Sequence, residues 1–347
     1  MLSLSRALLF LRRGSAGRSP RSAGRRAGAV RARAAALVGL ALLTAGCITN
    51  LVADNLDSVV EINGTTVRAT AGAIEQTLPD VPNTLWLLID RPESGRTVGA
   101  FLSPEPAPGL VVLLCGASTL DPKGRVEAVR RFDRSYGTDL RAAGFRTLSP
   151  VLSECHTPYG GEDLADARAV VDWLAAGGAE FLGAERVYVV GYSTGATVVN
   201  LLNAERRVTA MVSLAGLSEP DQLEFFQPLY RLLTLMFPDN TGFCQLATTL
   251  DVYGPPGRAP WSALDAVDRV AEFRNPTLFV HGTSDFVYVV DNTRHLEAQY
   301  AALLRAGRAD LPPLEFVYVP GGSHFDPAYG AGERQRVIAY LKRFEPG

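Results

Sequence analysis

The chain has 347 residues, of which 47% are hydrophobic and 20% charged, a globular composition that excludes a disordered or collagen-like protein. Its net charge is −2, and its positive charge is almost entirely arginine without a lysine-rich face, which argues against nucleic acid as a partner. Once the N-terminal segment is set aside, about 300 residues remain, enough for one large α/β domain or two small ones.

Residues 1–46 have the pattern of a targeting segment. They contain arginines but no acidic residue, and they end in the apolar run AAALVGLALLTAG, which Cys47 follows. A basic region, a short apolar stretch and small residues before a cleavage point are typical of a secretory signal. The ending LTAGC resembles the lipobox of bacterial lipoproteins, in which the cysteine carries the lipid. We therefore expect an exported lipoprotein anchored to a membrane of the cell envelope; an uncleaved signal anchor and an organelle transit peptide are the alternatives.

Residues 47–83 form the predicted N-terminal extension. Within it, Asn63-Gly64 separates two β-prone arms in VVEINGTTVRAT. An Asn-Gly pair between such arms is a strong signal for a two-residue hairpin, because both central positions of the turn need a positive φ. We expect a β-hairpin here.

From residue 84 onward, apolar runs alternate with helical patterns. TLWLLID and TVGAFLS predict a hairpin, and GLVVLLC, FRTLSPV and RVYVV predict buried strands separated by helices. Continuous apolar strands that alternate with helices indicate a mostly parallel central sheet with helices on both faces. In such sheets the functional residues gather at the carboxyl ends of the strands.

The alternation breaks at residues 217–262 and returns with NPTLFVHG. The segment EPDQLEFFQPLYRLLTLMFPDN is apolar nearly all round, and we interpret 217–262 as a small insertion over one edge of the sheet. Two interpretations of it stay open. It is either a lid over an acyl pocket, with Phe225, Phe226 and Tyr230 in contact with substrate, or a helix packed into the core.

The cysteines beyond the targeting segment predict no metal site. Cys115 ends an apolar strand, which is typical of a small buried hydrophobe. Cys155 and Cys244 lie in loop-like segments, where an exported chain permits a disulfide between them. Their spacing with His156 does not match that of a zinc site.

GYSTG, residues 191–195, lies between a strand-like run and a helix-like run. A serine at the tip of so tight a turn is forced into a strained backbone conformation. Because the outgoing helix must pass close to the incoming strand, side chains at Gly191 and Gly195 would collide with it. The free N–H groups at the helix N-terminus can stabilise an oxyanion. The spacing predicts that Ser193 is a nucleophile; the alternative is a turn that happens to contain serine.

A nucleophilic serine needs a base, and the base needs an orienting acid. His324 follows the last predicted strand in YVPGGSHF, at a carboxyl strand end from which a base can reach over the sheet. Asp285, in HGTSDFVYVV, is the candidate acid and gives the chain order Ser, Asp, His. Glu219 and Asp221 follow the preceding strand and are the alternative acids.

Three further histidines have other predicted places. His281 adjoins a strand end, where we interpret the His-Gly pair as shaping the loop. His295 lies on a predicted helix and is interpreted as a surface residue. His156 is interpreted as a loop residue, with substrate contact as the alternative.

The ordered set GYSTG, HGTSDFVYV and GGSHF resembles the α/β-hydrolase family, over residues 84–347. The later part, NPTLFVHGTSDFV and FVYVPGGSH, is similar to the dienelactone-hydrolase and prolyl-oligopeptidase-like branches. The resemblance implies the α/β-hydrolase fold with Ser193 as nucleophile, Asp285 as acid and His324 as base. It implies no metal or organic cofactor.

The same resemblance implies an oxyanion hole made by the backbone N–H groups of Thr194 and Ala117. Two positions depart from the family pattern. Many members have His-Gly where this chain has Cys115-Gly116, and the nucleophile turn continues with Ala196 where the peptidase branch usually has a second glycine.

We therefore expect a serine hydrolase that cleaves a small-molecule carboxylic ester through an acyl-enzyme. A serine peptidase of the prolyl-oligopeptidase-like branch and a non-catalytic lipoprotein with this fold are the alternatives. A complete set of triad residues argues against the last, since an inactive site is free to lose them.

Overall fold

The computed structural model describes residues 84–91, 94–116, 122–152, 161–219, 228, 231–238 and 265–346. Several predictions fall outside these described residues. They are the targeting segment 1–46 with lipidation at Cys47, the extension 47–83 with its hairpin, the pairing of Cys155 with Cys244, and the placement of Ala117, His156, Asp221, Phe225, Phe226 and Tyr230.

One eight-stranded sheet organises the described chain. The strands are β1 Leu85–Arg91, β2 Arg96–Leu102, β3 Gly109–Leu114, β4 Arg146–Pro150, β5 Arg186–Tyr192, β6 Ala210–Leu214, β7 Thr277–Gly282 and β8 Leu314–Val319. Their order is β1-β2-β4-β3-β5-β6-β7-β8. β1 and β2 form the predicted antiparallel hairpin, β2 pairs antiparallel with β4, and all other neighbours are parallel. The predicted mostly parallel sheet is confirmed.

Helices follow the strands as the sequence pattern predicts. They are α1 Pro122–Phe132, α2 Thr138–Ala142, α3 Glu162–Trp173, α4 Ala179–Phe181, α5 Thr194–Asn203, α6 Asp291–Arg305, α7 Asp326–Tyr329 and α8 Ala331–Lys342. The π-helical segments Asp133–Gly137 and Leu174–Gly178 join α1 to α2 and α3 to α4, and Val270–Glu272 is a 3-10 turn. Within the described ranges, none of the helices has both the length and the hydropathy of a transmembrane span.

The apolar runs of the central strands are explained by burial on both faces of the sheet. In β3, Val111 and Leu113 pack in one hydrophobic cluster with side chains of α1, α2 and α8. Leu110, Val112 and Leu114 pack in a second cluster with side chains of α3 and α5. Because side chains alternate along a strand, a strand covered on both sides must be apolar at every position. The helices therefore lie on both faces, as predicted.

The start of the predicted insertion is joined to the chain just beyond its predicted end by a backbone hydrogen bond. The Ala266 N–H donates to the carbonyl of Ser218 at 2.9 Å. The Ser218 N–H donates to Asn292 Oδ1 at 2.7 Å, and Asn200 Nδ2 donates to the Leu217 carbonyl at 3.1 Å. Leu217 and Ser218 are thus held against α5 and α6.

Of the insertion itself, residues 231–236 are helical. Leu233 is buried, and the exposed large hydrophobic residues include Leu232, Leu235 and Met236. These positions fit both a lid and a core-packed helix, so the lid stays a prediction.

Candidate active site

Ser193 lies at the junction between β5 and α5 with φ 55° and ψ −118°. A non-glycine residue in this region is strained by about 1–3 kcal/mol and persists only where its surroundings impose it. Two backbone hydrogen bonds do so: the Ser193 N–H donates to the Leu214 carbonyl at 2.9 Å, and the Ser193 carbonyl accepts from the Thr197 N–H at 3.0 Å. The turn therefore projects the Ser193 side chain from the carboxyl end of a central strand.

The glycines on either side of Ser193 are required by close backbone contacts. A Cβ at Gly191 would lie 2.4 Å from the carbonyl oxygen of Gly195, and a Cβ at Gly195 would lie 2.2 Å from that of Leu114. Both distances are far below van der Waals contact. For Gly191 the contact is with the outgoing helix, as predicted from the G-x-S-x-G spacing. For Gly195 the contact is with the neighbouring strand β3 and not with the incoming strand β5, so the predicted reason is wrong for that glycine.

The structure brings Ser193, His324 and Asp285 into one hydrogen-bonded chain. His324 Nδ1 lies 2.7 Å from Asp285 Oδ2, and His324 Nε2 lies 2.9 Å from Ser193 Oγ. All three residues are buried. Since a carboxylate only accepts, Nδ1–H donates to Asp285, which leaves Nε2 free to accept the serine O–H. A chain of this kind can move the serine proton to the imidazole as the oxygen attacks an electrophile.

Asp285 is held in the ionised form. Its Oδ1 accepts from the backbone N–H groups of Val287 at 2.8 Å and Tyr288 at 2.9 Å, while Oδ2 faces His324 and lies 3.1 Å from His281 Nε2. Burial raises the pKa of Asp285, but the two imidazoles and their hydrogen bonds outweigh it and hold that pKa well below its usual range. The carboxylate is therefore the fixed negative charge of the site.

The loop that carries His324 is bound to the loop that carries Asp285. The Ser284 N–H donates to the Gly322 carbonyl at 2.8 Å, and the Gly321 N–H donates to Thr283 Oγ1 at 2.7 Å. A Cβ at Gly282 would lie 2.3 Å from the same Gly322 oxygen. The contact between acid and base is thus set by backbone contacts as well as by their side chains.

Aromatic rings surround His324. Ring centroids of Tyr192, Tyr288 and Phe325 lie 5.4, 5.4 and 5.8 Å from that of His324. Burial raises the phenol pKa of both tyrosines, so these rings stay neutral. In such a poorly hydrated setting the interaction between His324 and Asp285 is stronger than it would be in water.

The helix N-terminus offers one donor for an oxyanion. Thr194 is the first residue of α5, so its N–H has no acceptor within the helix, and the helix dipole adds partial positive charge. The loop after β3 approaches the same place, because a Cβ at Gly116 would lie 3.0 Å from Ser193 Cβ. Ala117, the second predicted donor, lies outside the described residues.

Cys115 precedes this loop as a buried thiol. It forms no disulfide, and burial together with the charge of Asp163 raises its pKa to about 12. The thiol therefore stays protonated, and the prediction of a small buried hydrophobe is confirmed.

The alternative acid Glu219 has a different partner. Glu219 Oε2 lies 2.5 Å from His295 Nδ1 on α6, and the His295 side chain is 59% exposed, as predicted for a surface residue. Among the residues that the structure describes, no group of three or more His, Cys, Asp or Glu side chains is placed to hold a metal ion. Of the candidate acids that the structure describes, only Asp285 contacts His324.

His281 is the residue whose contact sequence reasoning missed. It is 1% exposed in the side chain and touches the carboxylate of Asp285, four residues further along the chain. HGTSD places a histidine near the end of a buried strand and an aspartate in the loop that follows. This spacing does not predict the orientation of the ring, so only the loop-shaping role was expected.

Comparison with known proteins supports the architecture. A sequence model described as the alpha/beta hydrolase family matches residues 111–335. No curated protein sequence shows significant similarity to the chain.

Solved structures with the same fold include esterases and peptidases. The esterase Pf2001 of Pyrococcus furiosus is 16% identical with a TM-score of 0.56, over 80% of this chain and 97% of that one. A truncated carbohydrate esterase from gut microbiota is 13% identical with a TM-score of 0.56, over 75% of this chain and 95% of that one. A puromycin-hydrolyzing peptidase of Mycobacterium tuberculosis is 18% identical with a TM-score of 0.51, over 75% of this chain and 39% of that one. At these identities the similarity concerns the fold.

Proposed function

The chain belongs to the alpha/beta hydrolase family, and on that premise we propose that it is a serine hydrolase that cleaves carboxylic esters of small molecules. The observation that carries the proposal is the unbroken hydrogen-bonded chain from Ser193 through His324 to Asp285, with the serine on a strained turn. Strained backbone conformations of this kind are concentrated at functional sites in proteins.

In the proposed acylation step, Ser193 Oγ attacks the ester carbonyl and its proton passes to His324 Nε2. The Asp285 carboxylate stabilises the imidazolium that forms. The carbonyl oxygen becomes an anion, which the Thr194 N–H and, as we propose, the Ala117 N–H stabilise. When the C–O bond breaks, His324 returns the proton to the leaving alcohol and the acyl group stays on Ser193.

In the proposed deacylation step, His324 Nε2 takes a proton from a water molecule, which attacks the acyl carbonyl. The tetrahedral intermediate uses the same oxyanion donors. It collapses as His324 gives the proton back to Ser193 Oγ, which releases a carboxylic acid and regenerates the free serine. The cycle uses only groups of the chain and one water.

Two observations favour esters over peptides. The chain aligns with nearly the whole length of the two esterases, whereas it spans 39% of the length of the puromycin-hydrolyzing peptidase. The nucleophile turn continues with Ala196, a position at which the resemblance to the peptidase branch is weaker. We take the apolar residues Phe225, Phe226 and Tyr230 as the proposed contacts for the acyl group.

A substrate panel tests this choice. Purified protein is assayed against p-nitrophenyl esters of increasing acyl length and against aminoacyl p-nitroanilides, with the Ser193→Ala variant as the blank. We expect turnover of the esters at rates far above those of the anilides. Preferential cleavage of the anilides would move the assignment to a serine peptidase, and turnover of neither set would support a binding protein with this fold.

We further propose that the protein is exported and anchored to a membrane by a lipid on Cys47. The basic and apolar pattern of residues 1–46 and the ending LTAGC support this. In a bacterial host, labelled palmitate should enter the wild-type protein and not the Cys47→Ala variant. Equal incorporation, or none in either protein, would reject lipidation at Cys47.

A further inference from the structure

A second imidazole is buried against the carboxylate of Asp285. His281 Nε2 lies 2.8 Å from the carbonyl oxygen of Tyr288 and 3.1 Å from Asp285 Oδ2. Its Nδ1 lies 2.8 Å from the hydroxyl of Thr293. The mechanism above uses none of these contacts.

The contacts determine which nitrogen of His281 carries a proton. Both oxygens that face Nε2, the Tyr288 carbonyl and the Asp285 carboxylate, can only accept, so Nε2 must be the donor. The Thr293 hydroxyl can act as donor or acceptor, so Nδ1 has a hydrogen-bond partner as well. The ring is thereby fixed from both sides with its Nε2–H directed at the pair of oxygens.

His281 also completes the hydrogen bonds of the carboxylate. Oδ1 of Asp285 accepts from the N–H groups of Val287 and Tyr288, and Oδ2 accepts from His324 Nδ1 and from His281 Nε2. Each carboxylate oxygen thus has two donors, so a rotation about the Cβ–Cγ bond would break contacts on both. A buried carboxylate with a full set of donors is rigid, whereas one with a missing donor can turn or attract water.

We propose that His281 is a positioning residue for the reaction: its Nε2–H fixes Oδ2 of Asp285 at the place where His324 Nδ1–H reaches it. This inference rests on the proposed serine-hydrolase function. His281 touches no reacting atom, and it acts on the base only through the carboxylate. The neighbouring Gly282 shapes the loop, which is the role that the sequence suggested for the pair.

The proposal predicts a change in pH dependence. When the His281 donor is removed, more of the negative charge on Oδ2 is available to His324, and the imidazolium is stabilised. The acid limb of the kcat/KM profile then moves to higher pH, because the base is lost to protonation earlier. The titratable groups that the structure places around this site are Asp285, His324 and the phenols of Tyr192 and Tyr288, with the phenol of Tyr329 packed against Tyr192. Burial raises the pKa of all three phenols, which stay neutral.

Two substitutions separate the N–H donor from the volume of the ring. In His281→Gln, the amide nitrogen stands at the same number of bonds from Cβ as Nε2 and can still donate. In His281→Phe, a somewhat larger aromatic ring stays and the donor is lost. We expect His281→Phe to lower kcat by about 10- to 100-fold with KM unchanged, the rate equivalent of one hydrogen bond to a charged group. His281→Gln should recover most of the rate and the original acid limb, and His295→Gln on the surface should match the wild type.

The outcomes are distinguishable from a failure of the proposed function. If the wild-type protein neither hydrolyses an ester nor is labelled by a fluorophosphonate, the proposed function itself is wrong, whatever the His281 variants do. If the wild type is active and His281→Phe matches it in rate and acid limb, the inference is overturned. It is also overturned if His281→Phe and His281→Gln lose activity equally, because the N–H donor that only His281→Gln keeps would then make no difference to the rate.

A spectroscopic test uses only the wild-type protein, so its result does not depend on whether a variant folds. Long-range ¹H–¹⁵N spectra of the wild-type protein report which nitrogen of each histidine carries the proton. We expect His281 to carry a proton on Nε2. A His281 protonated on Nδ1 alone could not donate to Asp285, and this result would overturn the proposal.

Discussion

Gly282 at the end of β7 is in direct backbone contact with Gly322 in the loop that carries His324, since a Cβ at Gly282 would lie 2.3 Å from the Gly322 carbonyl oxygen. The acid and the base of the proposed triad follow these two glycines closely in the chain. The relative position of Asp285 and His324 therefore depends on a gap that only glycine leaves open.

Gly282→Ala should separate the two loops and impair activity more than folding. We expect kcat to fall by about 100-fold, the loss that a displacement of about 1 Å can cause at a catalytic site. The measurement is kcat on a p-nitrophenyl ester beside the thermal midpoint. Gly332→Ala is the matched control, because a Cβ there meets nothing within 4 Å in helix α8 and should be neutral or stabilising. Wild-type kcat in Gly282→Ala would contradict the account.

Asp285→Asn should lower kcat by about 10,000-fold while the protein stays folded, because an amide cannot hold the base in the required tautomer. Glu219→Gln is the control, since Glu219 pairs with the exposed His295 and not with His324. Steady-state kinetics of both variants show which of the two carboxylates orients His324. A larger loss in Glu219→Gln than in Asp285→Asn would assign the acid to Glu219.

The depressed pKa of Asp285 links stability to pH. Because the folded state holds the ionised form more strongly than the unfolded chain does, this stabilisation is fully present above the unfolded pKa of about 4 and is lost as pH falls below it. The difference in thermal midpoint between wild type and Asp285→Asn should therefore shrink as pH falls from about 6 to about 3. A difference that stays constant over this range would show that ionisation of Asp285 contributes nothing to stability.

Cys115 should be unreactive in the folded protein. Its thiol is buried and its raised pKa, about 12, leaves almost no thiolate at neutral pH. Iodoacetamide followed by mass spectrometry should modify Cys115 in denaturant and leave it unmodified in buffer. Modification in buffer at the rate of an exposed cysteine would contradict the burial.

The nucleophile turn could be predicted from sequence because its causes are local. Gly191, Ser193 and Gly195 lie within one short stretch, and the clash that Gly191 avoids is with the helix that begins in that stretch. The close contact of Gly195 with Leu114 of β3 is not local, and the spacing did not predict it. The sheet could be predicted for a similar reason, since strands buried on both faces have no polar position. Asp285 and His324 followed from the rule that functional residues lie at carboxyl strand ends.

The contact of His281 could not be predicted, because it depends on distant groups. The ring orientation is set by Thr293 on α6 and by the carbonyl of Tyr288. The spacing of HGTSD predicts neither of these contacts. The choice between Glu219 and Asp285 likewise required the position of His295 on α6, which binds Glu219.

The central claim is that Ser193, activated by His324 and Asp285, is the nucleophile of this protein. Fluorophosphonate labelling followed by peptide mapping tests it most directly, with Ser193→Ala as the comparison at an equal thermal midpoint. The account predicts a single labelled residue, Ser193, and neither label nor ester turnover in the variant. A label on any other residue, or undiminished turnover by Ser193→Ala, would contradict it.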